Sequence, residues 1–211
     1  MTEEDLRIVV DDGVVLEARL AARPGAGVAV LCHPHPLYGG CMDNNVVLAA
    51  RNALAGLGKG TVRFNFRGVG RSTGTYDEGR GEVRDLEAVF QRFDDHTPRD
   101  LVAYSFGAWV ALRAVQAGLA PDTLCLVSPP VSFMEFSGLG LPTSPTLIVA
   151  GDRDEFCRSG DLRSWLAEVG ADASSLEDVT LAGADHFYSG RERSLGDAIA
   201  GFYRGLTPRA S

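Results

Sequence analysis

A serine placed between a strand and a helix is the first candidate for chemistry. Ser105 lies in Ala103-Tyr104-Ser105-Phe106-Gly107, after an apolar strand-like run and before an apolar helical run. A turn that presents a nucleophilic serine in this way has the pattern G-x-S-x-G, and its sharpness requires small residues such as Ala103 and Gly107. Such a serine often has a strained backbone. The alternative is a serine that caps an ordinary helix, but the strand–turn–helix context favours the nucleophile.

A serine hydroxyl is a weak nucleophile at neutral pH and needs a base that an acid holds in place. Of the four histidines, only His186 follows the later strands, in a loop before the last helix. In open α/β sheets such a loop lies at the carboxyl edge, where ligands bind. His186 is therefore the predicted base, and the alternative is a solvated loop histidine.

Three carboxylates compete for the role of the acid. Asp152 and Asp154 both follow the penultimate strand, where the acid belongs in the chain order serine, acid, histidine. Asp152 ends the strand and could instead cap the turn through its own side chain, whereas Asp154 has more reach toward His186. Asp185 ranks third, because the side chains of sequence neighbours usually diverge. Asp154 is preferred, although spacing alone leaves Asp152 open.

The negatively charged oxygen of an acyl-transfer intermediate needs two preorganised N–H donors. One candidate is the Phe106 amide at the start of the helix, and the other belongs to the loop Cys32–Gly40 (CHPHPLYGG). The two prolines of this loop have no N–H, which leaves the amides of His35 and Leu37. We prefer His35.

The same loop raises a metal alternative. Cys32, His33, His35 and Cys41 are two sulfur and two nitrogen donors that zinc could use. Their C-H-x-H spacing differs from that of zinc sites, and neighbouring residues of a strand point to opposite faces. The sequence therefore predicts no metal site.

Strand and helix signals alternate along the chain, which predicts an α/β fold with a mostly parallel sheet and helices on both faces. Asp12-Gly13 between two β-rich runs predicts an opening hairpin. The segment 129–145 is the longest without periodicity, and we expect a loop with at most one short helical turn. Strands are predicted at 7–11, 14–20, 27–32, 61–66, 101–105, 124–128, 146–152 and 179–182, and helices near 44–57, 83–93, 106–118, 162–169 and 194–203.

Composition bounds the remaining possibilities. The 211 residues carry a formal net charge of −8 and suit one domain over 1–211. The negative charge argues against general binding to nucleic acid or to an anionic membrane. No apolar run is long enough to span a bilayer, and the acidic N-terminus does not resemble a signal peptide. We expect a cytoplasmic protein with four free thiols rather than disulfides.

Two longer motifs carry a family resemblance. The segment Asn65–Gly74 (NFRGVGRSTG) resembles the D-x-R-G-x-G-x-S-x-G loop of α/β-hydrolases. Together with HPHPLYGGCMDN (33–44), it resembles the small, capless, dienelactone-hydrolase-like branch of bacterial hydrolases. This resemblance implies an eight-stranded, mostly parallel sheet without a cap domain and no metal or organic cofactor. It also implies Ser105 as nucleophile, Asp154 as acid and His186 as base.

This chain departs from the family pattern at three positions. Ala103 replaces the first glycine of the serine turn but stays small. Ser105 stands where dienelactone hydrolase itself has a cysteine, which puts that specific reaction in doubt. Asn65 replaces an aspartate, a change we interpret as structural. Arg67 and Arg71 could bind an anion, but we expect a structural hydrogen-bonding role for Arg67 and a solvated Arg71.

The predicted function is hydrolysis of a small-molecule acyl ester or thioester through an acyl-enzyme, with Tyr38, Tyr104 and Phe106 beside the acyl group. The segment 129–145 is too short for a cap domain, so we expect an open site. The alternative is a non-catalytic scaffold of the same fold that binds a small molecule or a protein. A homodimer through an edge strand or through 131–139 is compatible with the sequence.

Overall fold

One twisted sheet organises the molecule, and the computed structural model describes residues 2–172 and 174–206. Eight strands lie in the order β1-β2-β4-β3-β5-β6-β7-β8. The strands are β1 (Glu4–Val9), β2 (Val15–Ala21), β3 (Val28–Cys32), β4 (Gly60–Phe64), β5 (Arg99–Tyr104), β6 (Thr123–Val127), β7 (Thr146–Gly151) and β8 (Leu176–Leu181). The helices are α1 (Asn45–Gly56), α2 (Arg80–Gln91), α3 (Phe106–Gln116), α4 (Ser159–Glu168) and α5 (Glu192–Leu206), and a short 3₁₀ turn spans Pro36–Tyr38.

The sheet is antiparallel at one edge and parallel elsewhere, as predicted. β1 pairs with β2 and β2 with β4 in antiparallel register, while the neighbours from β4 to β8 run parallel. The predicted hairpin joins β1 and β2, with Gly13 at φ 83° and its amide donating to the Val10 carbonyl. Because parallel strands end at the same edge, the segments after β3, β5, β6, β7 and β8 converge there.

Alternation along the strands divides the core into two layers. In β3, Val28, Val30 and Cys32 pack on the face that α2, α3 and α4 cover, while Ala29 and Leu31 pack on the face covered by α1 and α5. All five residues are buried. A continuous apolar run is therefore what a strand with helices on both faces requires.

The element boundaries shift by a few residues from those predicted. β1 begins earlier because its pairing with β2 continues to Glu4 opposite Leu20. β8 likewise begins earlier than predicted, at Leu176. The polar residues of this half-exposed edge strand interrupt the apolar pattern that the prediction used. The segment 129–145 is the expected loop, and its single helical turn is closed by the Met134 amide on the Pro130 carbonyl.

Two further expectations concerned the cysteines and membrane-spanning helices. The four cysteines are free thiols, and three of them are buried. Within residues 2–172 and 174–206, no helix combines the length and apolarity that crossing a bilayer requires.

Arg67 has the structural role that we expected. Its guanidinium donates to Asp85 Oδ1 at 2.7 Å from Nη2 and to Asp12 Oδ2 at 2.9 Å from Nη1, while its amide donates to Asp85 Oδ2 at 2.8 Å. Arg67 and Asp85 are both buried. The pair joins the loop after β4 to α2. Arg71 is mostly exposed and pairs with Glu17, so it is solvated but not unpaired.

We expect Asp85→Ala to lower the free energy of unfolding by about 3–5 kcal/mol, because it leaves the Arg67 guanidinium buried without its main partner. Denaturant unfolding measures the change. Asp197→Ala is a control of the same chemistry at an exposed ion pair with Arg193, where we expect a loss of about 0.5 kcal/mol or less. Equal losses in the two variants would contradict a structural role for the buried pair.

Candidate active site

Ser105 occupies the strained turn that the sequence predicts. It follows β5 directly, precedes α3 and has φ 55° and ψ −120°, outside the regions that L-residues favour. Its amide donates to the Val127 carbonyl at 2.9 Å, which ties the turn to β6. The turn needs small neighbours, since a Cβ on Gly107 would lie 2.8 Å from the His33 carbonyl oxygen. The backbone therefore raises the Ser105 hydroxyl above the carboxyl edge of the sheet.

Ser105, His186 and Asp154 form a continuous hydrogen-bonded chain. Ser105 Oγ lies 2.8 Å from His186 Nε2. His186 Nδ1 lies 2.9 Å from Asp154 Oδ1 and 3.0 Å from Oδ2. All three side chains are buried, although they come from three separate loops. The sequence-predicted candidates for nucleophile, base and acid are thus brought together.

The Asp154 carboxylate is held in its ionised form. Burial alone raises its pKa, but hydrogen bonds from His186, from the Ser128 hydroxyl and from the Cys157 amide outweigh this and lower the pKa below its usual value. Asp154 Oδ1 accepts the Phe156 and Cys157 amides at 2.9 Å each. An ionised carboxylate only accepts hydrogen bonds, so His186 Nδ1 carries the proton. His186 Nε2 then presents its lone pair to the Ser105 hydroxyl.

The two other carboxylates have structural roles. Asp152 Oδ1 accepts the Gly183 amide at 2.7 Å, so this side chain ties the β7 end to the loop that carries His186. Asp185 Oδ1 accepts the Phe187 and Tyr188 amides at 3.0 Å each and closes the turn after His186. Neither of these carboxylates has a hydrogen bond to His186 among the described residues. The choice that spacing left open is thereby decided for Asp154 as the partner of His186.

Sequence reasoning missed two hydroxyls behind Asp154. Ser128, at φ 46°, directly follows β6 and hydrogen-bonds to Asp154, and its Oγ lies 2.8 Å from the Tyr188 hydroxyl. Tyr188 is fully buried and also lies 3.2 Å from the Val149 carbonyl. The sequence signal that could have identified Ser128 was its position directly after a buried strand, at the carboxyl edge of the sheet.

The backbone amides of Phe106 and His35 have no hydrogen-bond partner among the described residues, and both residues line the same cavity as Ser105. The Phe106 amide begins α3, where the helix dipole favours negative charge. The Leu37 amide, our other candidate, donates instead to His35 Nδ1 at 3.2 Å, and the His35 side chain thereby caps the 3₁₀ turn. Leu37 itself points to solvent and does not line the cavity above Ser105. The geometry favours His35 over Leu37.

His33 holds the peptide that carries the His35 amide. The Phe66 amide donates to His33 Nε2 at 3.0 Å, so the proton must be on Nδ1, which donates to the Pro34 carbonyl at 2.6 Å. The Pro34 carbonyl and the His35 N–H belong to one planar peptide and point in opposite directions. The hydrogen bond that fixes the Pro34 carbonyl therefore also fixes the direction of the His35 N–H.

Burial lowers the pKa of His33 from 6.5 to about 4. The unfolded chain then binds a proton on this residue between these pH values and the folded chain does not. We expect the free energy of unfolding to fall as pH falls through this range, by up to about 3 kcal/mol from His33, and to keep this contribution above pH 6.5. Denaturant unfolding at pH 7 and at pH 4.5 measures the loss.

The matched variant for this experiment is His33→Gln, which keeps a donor and an acceptor but does not titrate. It should be less stable than the unmodified protein at neutral pH and should lose less stability on acidification. An acid dependence that is unchanged in His33→Gln would contradict the assignment to this histidine.

The residues of the metal alternative do not converge. Both His33 nitrogens are engaged in the hydrogen bonds given above, and Cys32 packs in the core. Within the part of the chain that the structure describes, no group of three or more His, Cys, Asp or Glu is arranged to hold a metal ion. His35 and Cys41 are both half-buried.

A cavity of about 340 Å³ opens above Ser105. Tyr38 and Tyr104 line it as predicted, but only Tyr38 is exposed, while the buried Tyr104 hydroxyl donates to the His186 carbonyl at 2.8 Å. The loop 129–145 contributes apolar side chains both to the cavity and to the core. Phe133 and Met134 line the cavity, and Phe136 is buried in the core.

A model of the alpha/beta hydrolase family matches residues 24–196 of this chain. Among curated proteins, an uncharacterised protein of Rickettsia prowazekii is 34% identical over 188 residues, which cover 85% of this chain and 79% of that protein.

Two solved structures resemble this chain over nearly its whole length. An alpha-beta serine hydrolase homologue from Coxiella burnetii is 37% identical, with a TM-score of 0.86 over 98% of this chain and 99% of that one. A protein of Xanthomonas campestris, described as a serine hydrolase without lid, is 31% identical, with a TM-score of 0.87 over 100% of this chain and 98% of that one.

Proposed function

This chain belongs to the alpha/beta hydrolase family and has its fold without a cap domain, and on that premise we propose that it hydrolyses carboxylic esters or thioesters through a covalent acyl-enzyme. The observation that carries the proposal is the 2.8 Å contact between Ser105 Oγ and the lone pair of His186 Nε2. A base within hydrogen-bonding distance of a hydroxyl, itself held by an ionised carboxylate, is what activates a serine.

The acylation step uses groups already in contact. Ser105 Oγ attacks the carbonyl carbon of the ester, and its proton passes to His186 Nε2. The resulting imidazolium is stabilised by the Asp154 carboxylate, to which it donates from Nδ1. When the carbon–oxygen bond of the leaving group breaks, His186 returns the proton to the departing alcohol, and the acyl group stays on Ser105.

Water completes the cycle by the same route. It attacks the acyl carbon while giving a proton to His186, and the carboxylic acid leaves as Ser105 regains its proton. In both steps the carbonyl oxygen becomes negatively charged, and we assign the Phe106 and His35 amides to it. Both are without a partner among the described residues, and donors of this kind contribute about 3–4 kcal/mol each to transition-state stabilisation.

Hydrolysis of a 4-nitrophenyl ester of a short fatty acid, together with covalent labelling by a fluorophosphonate, tests the proposal. We expect turnover, and we expect one adduct that peptide mass spectrometry assigns to Ser105. The folded protein with neither turnover nor an adduct would refute the proposal and would direct attention to ligand binding without catalysis.

A further inference from the structure

The chemistry of the cavity wall restricts what can bind above Ser105. Its side chains are mainly aromatic and aliphatic, and none of the described residues that line it is Asp, Glu, Lys or Arg. At about 340 Å³ the cavity is at the small end of the range for ligand sites, which is roughly 300–1,000 Å³. The cavity can hold the acyl group of a substrate if that group is no larger than about one ring or a medium-length chain.

The apolar wall continues outward to solvent. Tyr38, Phe133 and Phe187 line the cavity and are 77%, 63% and 58% exposed, an unusual degree for large apolar side chains. Phe133 packs edge-on against Phe156 at 5.4 Å, and Phe156 lies 4.7 Å from the His186 ring. A row of aromatic rings therefore leads from the surface to the base.

Three polar side chains in the wall already hydrogen-bond within the protein. The Tyr104 hydroxyl donates to the His186 carbonyl, and His35 Nδ1 accepts the Leu37 amide. Asn44 Oδ1 accepts the Val46 amide at the start of α1. None of these groups is a cation that could pair with a carboxylate or a phosphate.

We propose that this site selects neutral esters with an apolar acyl chain or ring and discriminates against anionic acyl groups. This inference rests on the proposed function and names its substrate class. A carboxylate carried into this cavity would lose its hydration and gain no partner of opposite charge, which disfavours binding and the transition state alike.

Two 4-nitrophenyl esters of similar length test the proposal, the neutral heptanoate and the monoanionic ester of adipic acid. They have the same leaving group, so kcat/KM compares only the acyl part. We expect the anionic ester to react at least about 100-fold more slowly. We also expect the ester of 3-phenylpropanoic acid to react about as fast as the heptanoate, because the wall is lined with rings.

A variant with an added positive charge tests whether the cavity wall causes the preference for the neutral ester. Phe133→Arg adds a cation at the exposed mouth of the cavity. It should reduce the ratio of kcat/KM for the neutral ester to kcat/KM for the anionic ester by at least about tenfold. Val9→Arg is the matched control, since Val9 is 69% exposed on the edge strand β1 and does not line the cavity. Its preference should equal that of the unmodified protein.

The outcomes separate this inference from the proposed function. Absence of both turnover and fluorophosphonate labelling refutes the proposed function itself. Turnover of the neutral ester with an anionic ester that is less than about 100-fold slower refutes only the substrate class. A strong preference that Phe133→Arg does not reduce, or that Phe133→Arg and Val9→Arg reduce equally, would also overturn it, because the charge at the cavity would then not set the preference.

Discussion

Replacing Ser105 by alanine is expected to lower kcat for ester hydrolysis by about 10⁴- to 10⁶-fold and to abolish fluorophosphonate labelling. The Ser105 hydroxyl makes the 2.8 Å contact to His186 Nε2. Its loss removes the atom that forms the acyl-enzyme. Steady-state kinetics and intact-mass analysis of the two proteins measure the effect, and an adduct on Ser105→Ala would show that another residue is the labelled nucleophile.

Ser105→Gly separates catalysis from folding at the same position. A residue with a Cβ at φ 55° and ψ −120° is strained, whereas glycine adopts this conformation freely. We expect Ser105→Gly to be as inactive as Ser105→Ala but more stable than it by about 1 kcal/mol. Denaturant unfolding of both variants measures the difference. A less stable glycine variant would indicate that this turn stores no strain.

Asp154→Asn is expected to lower kcat by about 10⁴-fold. The carboxylate now accepts from His186 Nδ1 and from the Phe156 and Cys157 amides, so an amide at this position would turn its NH₂ toward the imidazole. His186 would then carry its proton on Nε2 and face the Ser105 hydroxyl as a donor rather than as an acceptor. Activity at neutral pH should fall while the fold is retained.

Asp152→Asn provides the control for this variant, because Asp152 lies in the same loop and binds the Gly183 amide instead of His186. The neutral side chain can still accept that hydrogen bond, so we expect kcat within about threefold of the unmodified protein. Stopped-time hydrolysis assays on both variants decide the assignment. If Asp152→Asn were the more damaging of the two, the acid would be misassigned.

Hydrophobic periodicity was sufficient to predict most of the fold. A fully apolar β3 indicated a strand covered on both faces, and the two core layers confirm it. The half-exposed β8 was partly missed because polar residues at an edge do not alternate clearly. The ends of β1 depended on how far it pairs with β2, which is a property of two strands and not of one segment.

Local sequence also identified Ser105 and His186 as partners, because each has a distinctive place. The serine sits between a buried strand and a helix, and the histidine alone follows the later strands. Chain order and the carboxyl edge of a parallel sheet then require the two to approach one another.

Only the tertiary structure decided between neighbours in a loop. Asp152 and Asp154 are two residues apart, and so are His35 and Leu37, so spacing treats the members of each pair alike. Hydrogen bonds to distant residues separate them, since Asp152 is taken by Gly183 and Asp154 by His186. A hydrophobic or motif pattern is set by residues that are close in sequence. The direction of a side chain in a loop is set by hydrogen-bond partners that are distant in sequence. For the same reason the sequence did not reveal the Ser128 and Tyr188 hydroxyls behind Asp154 or the uncharged wall of the cavity.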